Sequence, residues 1–254
     1  MLGTAPRADA WLMLEFNGLW ERKALETNAL LPAVQNWLDR AVASLSTEYE
    51  HVRPQFIKQR RSEDGCITFM FCAEGELRRK DVASYDELVE WQFNPQEMST
   101  VEAPQYFVCT NGRRDRCCSK LGLPCYRALR ALVGRRVWET THTGGHRFAP
   151  NVVSLPQGVV YGRVLPEELV EFVATVDGGD LSISHLRGRS AYPPAAQVAE
   201  VQVADARALT AVEGELVTFD TSDGPQTVRV QRAERPIEVM PSCGKDLEEV
   251  LHFR

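Results

Sequence analysis

The residue types with the most specific chemistry in this sequence are two cysteines and two histidines. Residues 109–118 read Cys-Thr-Asn-Gly-Arg-Arg-Asp-Arg-Cys-Cys, and residues 142–146 read His-Thr-Gly-Gly-His. Thiolates and neutral imidazoles are ligands of zinc and of iron–sulfur clusters, so Cys109, Cys118, His142 and His146 form a candidate metal-binding set. The Gly144-Gly145 pair argues against a helix between the imidazoles, because glycine costs roughly 1 kcal/mol against alanine in a helix interior. A glycine turn instead lets both rings fold toward one centre and lets backbone approach it closely. Eight residues separate Cys109 from Cys118, whereas zinc fingers usually place about two to four between paired cysteines. A wide span suits a cluster, whose irons spread their ligands over a larger volume, but the residues by themselves leave zinc and iron–sulfur both open.

The surrounding pattern says which elements hold these residues. An apolar run at 105–108 reads as a strand leading into Cys109, followed by an Asn-Gly loop and a helix over 124–133 that Gly134 closes. Strands are predicted at 137–140, 152–155 and 159–164, and a helix opens at Pro166 and runs to Val176. A similar order stands upstream. A strand at 10–16 is followed by a helix over 31–45, where Val34, Trp37, Leu38, Ala41, Val42 and Leu45 recur at helical spacing. Strands at 55–59 and 66–72 follow, and Ser84 with Glu87 forms a capping box for a helix ending near Phe93. The β-α-β-β-α order thus appears twice. Residues 186–194 read as a linker, followed by a helix over 195–209 and a hairpin across Ser222-Asp223-Gly224 with strands at 216–219 and 227–231. The division expected is an α/β unit over 1–100, a second over 101–186 and a small α+β extension over 187–254.

Of 254 residues, 44% are hydrophobic and 25% charged, as in ordinary globular proteins. No apolar run approaches the length of a membrane span, and the first apolar stretch, broken by Glu15, does not read as a secretory signal. Seven cysteines without an export signal fit a reduced, cytoplasmic thiol set better than a disulfide framework. Residues 105–150 hold nine basic and two acidic side chains, although the chain as a whole has a net charge of −6. That excess is read either as a solvated helix face or as a surface for an acidic partner or a phosphate-bearing cofactor. Neither Gly-x-Gly-x-x-Gly nor P-loop nor Cys-x-x-Cys patterns occur, which disfavours nucleotide binding and thioredoxin-type disulfide exchange.

Three segments taken together, 109–118, His142-Thr-Gly-Gly-His146-Arg-Phe-Ala-Pro-Asn151 and Gly158-Val-Val-Tyr161-Gly-Arg163-Val, resemble the sucrase/ferredoxin-like family of thioredoxin-like 2Fe–2S ferredoxins. Gly3-Thr-Ala-Pro-Arg and Trp11-Leu-Met-Leu-Glu15 extend the resemblance over most of the chain. It implies a thioredoxin-like ferredoxin domain preceded by a related α/β unit, and one 2Fe–2S cluster ligated by two cysteines and two histidines. By this mapping Cys109 and Cys118 hold one iron, and His142 and His146 hold the other. Cys117 is the rival of Cys118, and Asn111 stands where many relatives have histidine. The resemblance implies an electron carrier without substrate chemistry of its own; with the basic excess, a redox partner protein acidic at the contact is expected, and neither nucleic acid nor membrane. Two thiolates and two neutral imidazoles leave an oxidised cluster neutral, so its potential is expected above that of plant-type ferredoxins and to fall with rising pH. A structural or sensing Cys2His2 zinc protein is the alternative, and a cysteine-dependent thiol redox enzyme the second. Of the other residues, Cys66, Cys72 and Cys125 read as core, Cys243 as exposed, and His51, His185 and His252 as surface or local hydrogen-bonding residues. Tyr161, Gly162 and Arg163 are expected to build a strand beside the site, with Arg163 a less favoured cluster-facing donor.

Overall fold

The computed structural model describes residues 1–59, 65–240, 245–250 and 252–253. Strand β1 (Ala10–Glu15) is buried along its whole length, as its continuous apolar run requires. Helix α1 (Pro32–Leu45) starts with proline in its first turn and buries Val34, Trp37, Leu38, Ala41 and Leu45. Strands β2 (Val52–Lys58), β3 (Ile67–Ala73) and β4 (Glu76–Val82) follow, then α2 (Tyr85–Glu90), whose first turn is capped by Ser84 accepting from the Glu87 N–H. A two-residue strand, β5 (Ser99–Thr100), completes this half. The second half repeats the order with β6 (Gln105–Cys109), α3 (Arg116–Val133), β7 (Val137–Thr140), β8 (Asn151–Leu155), β9 (Val159–Gly162) and α4 (Leu169–Asp177).

In each half the first strand pairs parallel with the second and antiparallel with the third, and the third pairs antiparallel with the fourth. This is the thioredoxin-like α/β arrangement expected from the sequence. The two halves meet where β2 pairs antiparallel with β7, Ile57 opposite Thr140 and Lys58 opposite Glu139. With a last strand, β10 (Leu186–Arg189), beside β9, they form one ten-stranded sheet in the order β10-β9-β8-β6-β7-β2-β1-β3-β4-β5. Alternation along the strands sends Leu12, Leu14, Phe56, Phe69 and Phe71 toward α1. In the second half Tyr106, Val108, Val152 and Tyr161 pack against α3 and α4. Trp11, Met13, Met70, Phe107, Trp138 and Val153 form a third core that draws on both halves. Helix α5 (Pro194–Ala199) covers a meander of β11 (Ala208–Glu213), β12 (Leu216–Asp220) and β13 (Gln226–Arg229), burying Ala196, Val217 and Phe219 between them. A short pair, β14 (Ile237–Val239) and β15 (Glu248–Val250), follows.

Four readings of the sequence are corrected. Helix α3 begins at Arg116, not at Pro124, which lies inside it. The segment read as a linker contributes β10 to the large sheet. The helix expected over 195–209 ends at Ala199, and a strand starts at Ala208. Strand β4 went unread. Cys243 lies outside the described residues. Cys72 and Cys125 are buried in the core, Cys66 is half-buried, and no described helix is long and apolar enough to cross a membrane.

Candidate metal centre

Strands β6 and β7 run parallel and end side by side, Cys109 opposite Thr140. Ligand sites in α/β folds gather at such carboxyl ends, where loops leave the sheet together. Cys109 is the last residue of β6, and the loop after β7 carries His142 two residues beyond Thr140. Asp115 stops that first loop by capping α3: its Oδ1 accepts the Cys117 N–H at 3.0 Å. The first turn of α3 then turns Cys118 inward, 0% exposed, while Cys117 remains half-buried.

Close packing of α3 on β6 fixes the distance between the cysteines. A Cβ on Gly122 would run into the Cys109 carbonyl oxygen. Overpacking of this kind costs about 1–3 kcal/mol. Gly122→Ala is therefore expected to push the helix off the strand end and to lower bound metal per chain in proportion to the displaced Cys118, measured by metal analysis beside a melting curve.

One ligand atom from each of Cys109, Cys118 and His142 lies within 4.8 Å of the other two. His142 Nδ1 stands 3.5 Å from Cys118 Sγ and 3.9 Å from Cys109 Sγ. The Cys118 thiol donates to Cys109 and holds its pKa well below the usual thiol range against the opposing effect of burial; His142 and the Thr143 N–H add to this. Cys118, as the donor beside that negative sulfur, is pushed up. Of the pair Cys109 is thus the one that ionises more readily, and the thiolate is the form that binds metal.

His146 does not join this group of three. Its ring stacks on that of His142 with centroids 6.0 Å apart, and its Nδ1 faces Asp115 Oδ2 at 3.7 Å. Its Nε2 is buried without a hydrogen-bond partner. An orphaned buried nitrogen costs about 1–3 kcal/mol unless something binds it. Burial, opposed by Asp115, lowers the His146 pKa and keeps the ring neutral, as a metal ligand must be. Two thiols, one imidazole among them and a second with a vacant buried nitrogen on the same turn fit a soft metal ion or cluster.

The turn between the histidines is built from outside the motif. Gly144 and Gly145 have φ of 90° and 70°, the left-handed region that favours glycine, and a Cβ on Gly145 would collide with the Arg187 guanidinium. Arg187, buried in β10, donates to the Gly144 carbonyl at 3.0 Å and to Asn151 Oδ1 at 2.7 Å, and it also bonds Thr4. Asn151 Nδ2 in turn donates to the Gly145 carbonyl at 3.0 Å. Burial, with Arg147 and Arg53 nearby, pushes the Arg187 pKa down to about 9, and the Cys109 thiolate opposes that shift. On the other side Thr141 locks the loop to β2, with its N–H on the Phe56 carbonyl at 3.0 Å and its hydroxyl on Gln55 Oε1 at 2.6 Å.

Asp115 and Arg187 are the site residues that sequence reasoning missed. Asp115 has a readable signal, a cap residue just ahead of a cysteine pair. Arg187, some forty residues downstream of the turn, has none. Asp115→Asn keeps a good cap and removes the charge facing His146. It is expected to leave the melting temperature nearly unchanged and to weaken metal binding by about 10–100-fold, the usual cost of losing a carboxylate behind a ligating histidine, read by chelator competition. Tyr161 packs on Phe172 in the second core, and Arg163, expected within the strand, lies just past the end of β9 with its guanidinium over Phe148 at 5.8 Å. His51 stands near Glu50, and buried His185 lies 3.8 Å from Glu168.

Comparison with known proteins places these features in a family. The profile described as Sucrase/ferredoxin-like matches residues 1–188. Comparison with curated proteins returns no match. Among solved structures, a thioredoxin-like 2Fe–2S ferredoxin from Aquifex aeolicus is 22% identical, with a TM-score of 0.33, covering 37% of this chain and 97% of its own. Two of its cysteine-to-serine variants are each 23% identical, with TM-scores of 0.30 and 0.29, covering 33% of this chain and 96% of theirs. At these scores the strand order, rather than the superposition, defines the fold.

Proposed function

Because this chain belongs to the sucrase/ferredoxin-like family, we propose that it is an electron-transfer protein holding one 2Fe–2S cluster on Cys109, Cys118, His142 and His146. The observation that carries this reading is the convergence of both thiols and the His142 imidazole within 4.8 Å at the ends of β6 and β7. The bound cluster would supply a one-electron couple. The chain's own residues do the rest. Cys109 and Cys118 would hold it as thiolates, Cys118 losing the proton it donates to Cys109, and the buried Nε2 of His146 would gain a partner. The clamp of Arg187 and Asn151 holds both imidazoles in register.

His142 is half-buried and lines two clefts, so this side of the site is the one open to a redox partner. Exposed Arg116, Lys120 and Arg127 on α3 give the neighbouring face a positive field suited to an acidic protein. A ligating imidazole keeps a second ring nitrogen, and the Nε2 of His142 makes no hydrogen bond among the described residues. The midpoint potential is accordingly expected to fall as pH rises through neutral and alkaline values.

Anaerobically purified protein tests the reading by its visible absorption and its iron, acid-labile sulfide and zinc content. Iron and sulfide in equal amounts, with a paramagnetic signal on one-electron reduction, are expected. A colourless chain with one zinc would sink the proposal in favour of a structural site, and a metal-free chain with a reactive Cys109 would point to thiol chemistry.

A further inference from the structure

Arginines in this protein commonly have carboxylate partners: Arg78 pairs with Glu76, Arg79 with Asp81, Arg136 with Asp177 and Arg229 with Glu215. Arg22, Arg53 and Arg114 have neither a carboxylate partner nor a side-chain hydrogen bond among the described residues. All three line one cleft of about 310 Å³, together with Lys23, Asn111 and His142. A single unpaired arginine on a surface is ordinary. Three converging on one recess are less so, because their mutual repulsion needs an anion to offset it.

Arg53 sharpens the point. It is only partly exposed, its Nε is buried without a hydrogen bond, and its guanidinium lies over the Trp11 ring at 5.6 Å. Its Nη2 comes to 3.8 Å from where a Cβ on Gly144 would sit, which places it against the turn between the histidines. Burial lowers its pKa and the negative Cys109 sulfur opposes that, so one thiolate stands against three guanidinium groups. The one carboxylate lining the cleft, Glu26, is already tied to Lys23 at 2.7 Å. The three arginines are therefore left with a net positive charge and up to fifteen N–H donors in fork geometry, the arrangement that binds carboxylate and phosphate.

We propose that this cleft is a binding site for a small free oxyanion of the carboxylate or phosphate class. Arg53 forms its floor, and Arg22 and Arg114 close over the anion from the rim. Arg22 and Arg114 also line the adjoining cleft beside His146. A bound anion therefore sits at the open edge of the metal centre. The proposal does not depend on which metal the thiols hold.

Calorimetric titration of the full-length protein as purified, with inorganic phosphate and separately with citrate at ionic strength held constant by chloride, tests it. One saturable site is expected for at least one of the two anions, with a rise in melting temperature that tracks occupancy. Arg53→Met and Arg114→Met should each weaken binding by about tenfold or more, the loss of a charge-assisted bond. Arg53→Lys should fall between, and Arg229→Met should match the wild type. Should Arg53→Met fail to fold, exposed Arg114→Met carries the test. No saturable binding of either anion, or unchanged affinity in Arg114→Met, overturns the proposal, as does binding of an acidic peptide without binding of either free anion. Iron and sulfide analysis of the same samples keeps the two readings apart: arginine-dependent phosphate binding by a chain without iron would sink the cluster and leave this site standing.

Discussion

Cys118→Ala, purified anaerobically, is expected to contain less than about a tenth of the iron and sulfide of the wild-type chain, whereas Cys117→Ala should retain both in full. The two cysteines are neighbours in sequence, and spacing alone barely separates them. The structure does, because Asp115 sets the phase of α3 by capping it, and that phase buries Cys118 completely while leaving Cys117 half-exposed. Cys118 Sγ faces His142 at 3.5 Å, and its thiol donates to Cys109. Losing a ligand thiolate removes a first coordination bond, and structural metal sites contribute about 10–16 kcal/mol of apparent binding energy at neutral pH, so one ligand in four is a large share. Equal loss in both variants would mean that the helix can rotate by one residue to present either sulfur. Loss in Cys117→Ala alone would overturn the assignment.

What the sequence made legible follows from how local each signal is. The apolar run of β1 and the helical spacing of α1 are patterns that burial itself imposes, and both elements stand where the pattern puts them. The Gly-Gly turn was legible for a similar reason, since two left-handed residues in a row admit little else. The start of α3 was not. Proline favours the first turn of a helix, so Pro124 reads as a beginning. Asp115 caps the helix nine residues earlier, and packing against β6 overrides the cost of an internal proline. Strand β4 reads Glu-Leu-Arg-Arg-Lys-Asp-Val, with only Leu77 and Val82 buried, because it lies near the sheet edge where charge guards against unwanted pairing.

The support of the site was the least legible part. Leu186-Arg-Gly-Arg looks like a solvated linker, because buried arginine is rare and a polar segment is usually outside. Buried Arg187 donates to the carbonyls of Thr4 and Gly144, and no local pattern encodes partners so distant in sequence. The same holds for the third core, to which Trp11 and Phe107 both belong although they come from different halves of the chain.

Replacing an imidazole with a thiolate is expected to have the second large effect. His142→Cys should keep a cluster, since a thiolate is at least as good an iron ligand, but it places one more negative charge on the same two irons. Each added negative charge makes the one-electron reduction harder. Two-histidine Rieske centres lie at roughly −150 to +300 mV and four-cysteine plant-type ferredoxins near about −400 mV, so a single exchange should lower the midpoint by about 100 mV or more. It should also flatten the pH profile, because a thiolate ligand has no second nitrogen to take a proton. His146→Cys is the informative companion. His146 is backed by Asp115 at 3.7 Å and has a buried Nε2, so a shorter side chain there loses both that support and the reach of the ring. Cluster content in His146→Cys is expected to fall where His142→Cys holds it. A midpoint and a pH slope in His142→Cys that both match the wild type would mean that this histidine is not a ligand, and that the thiols and His146 bind their metal without it.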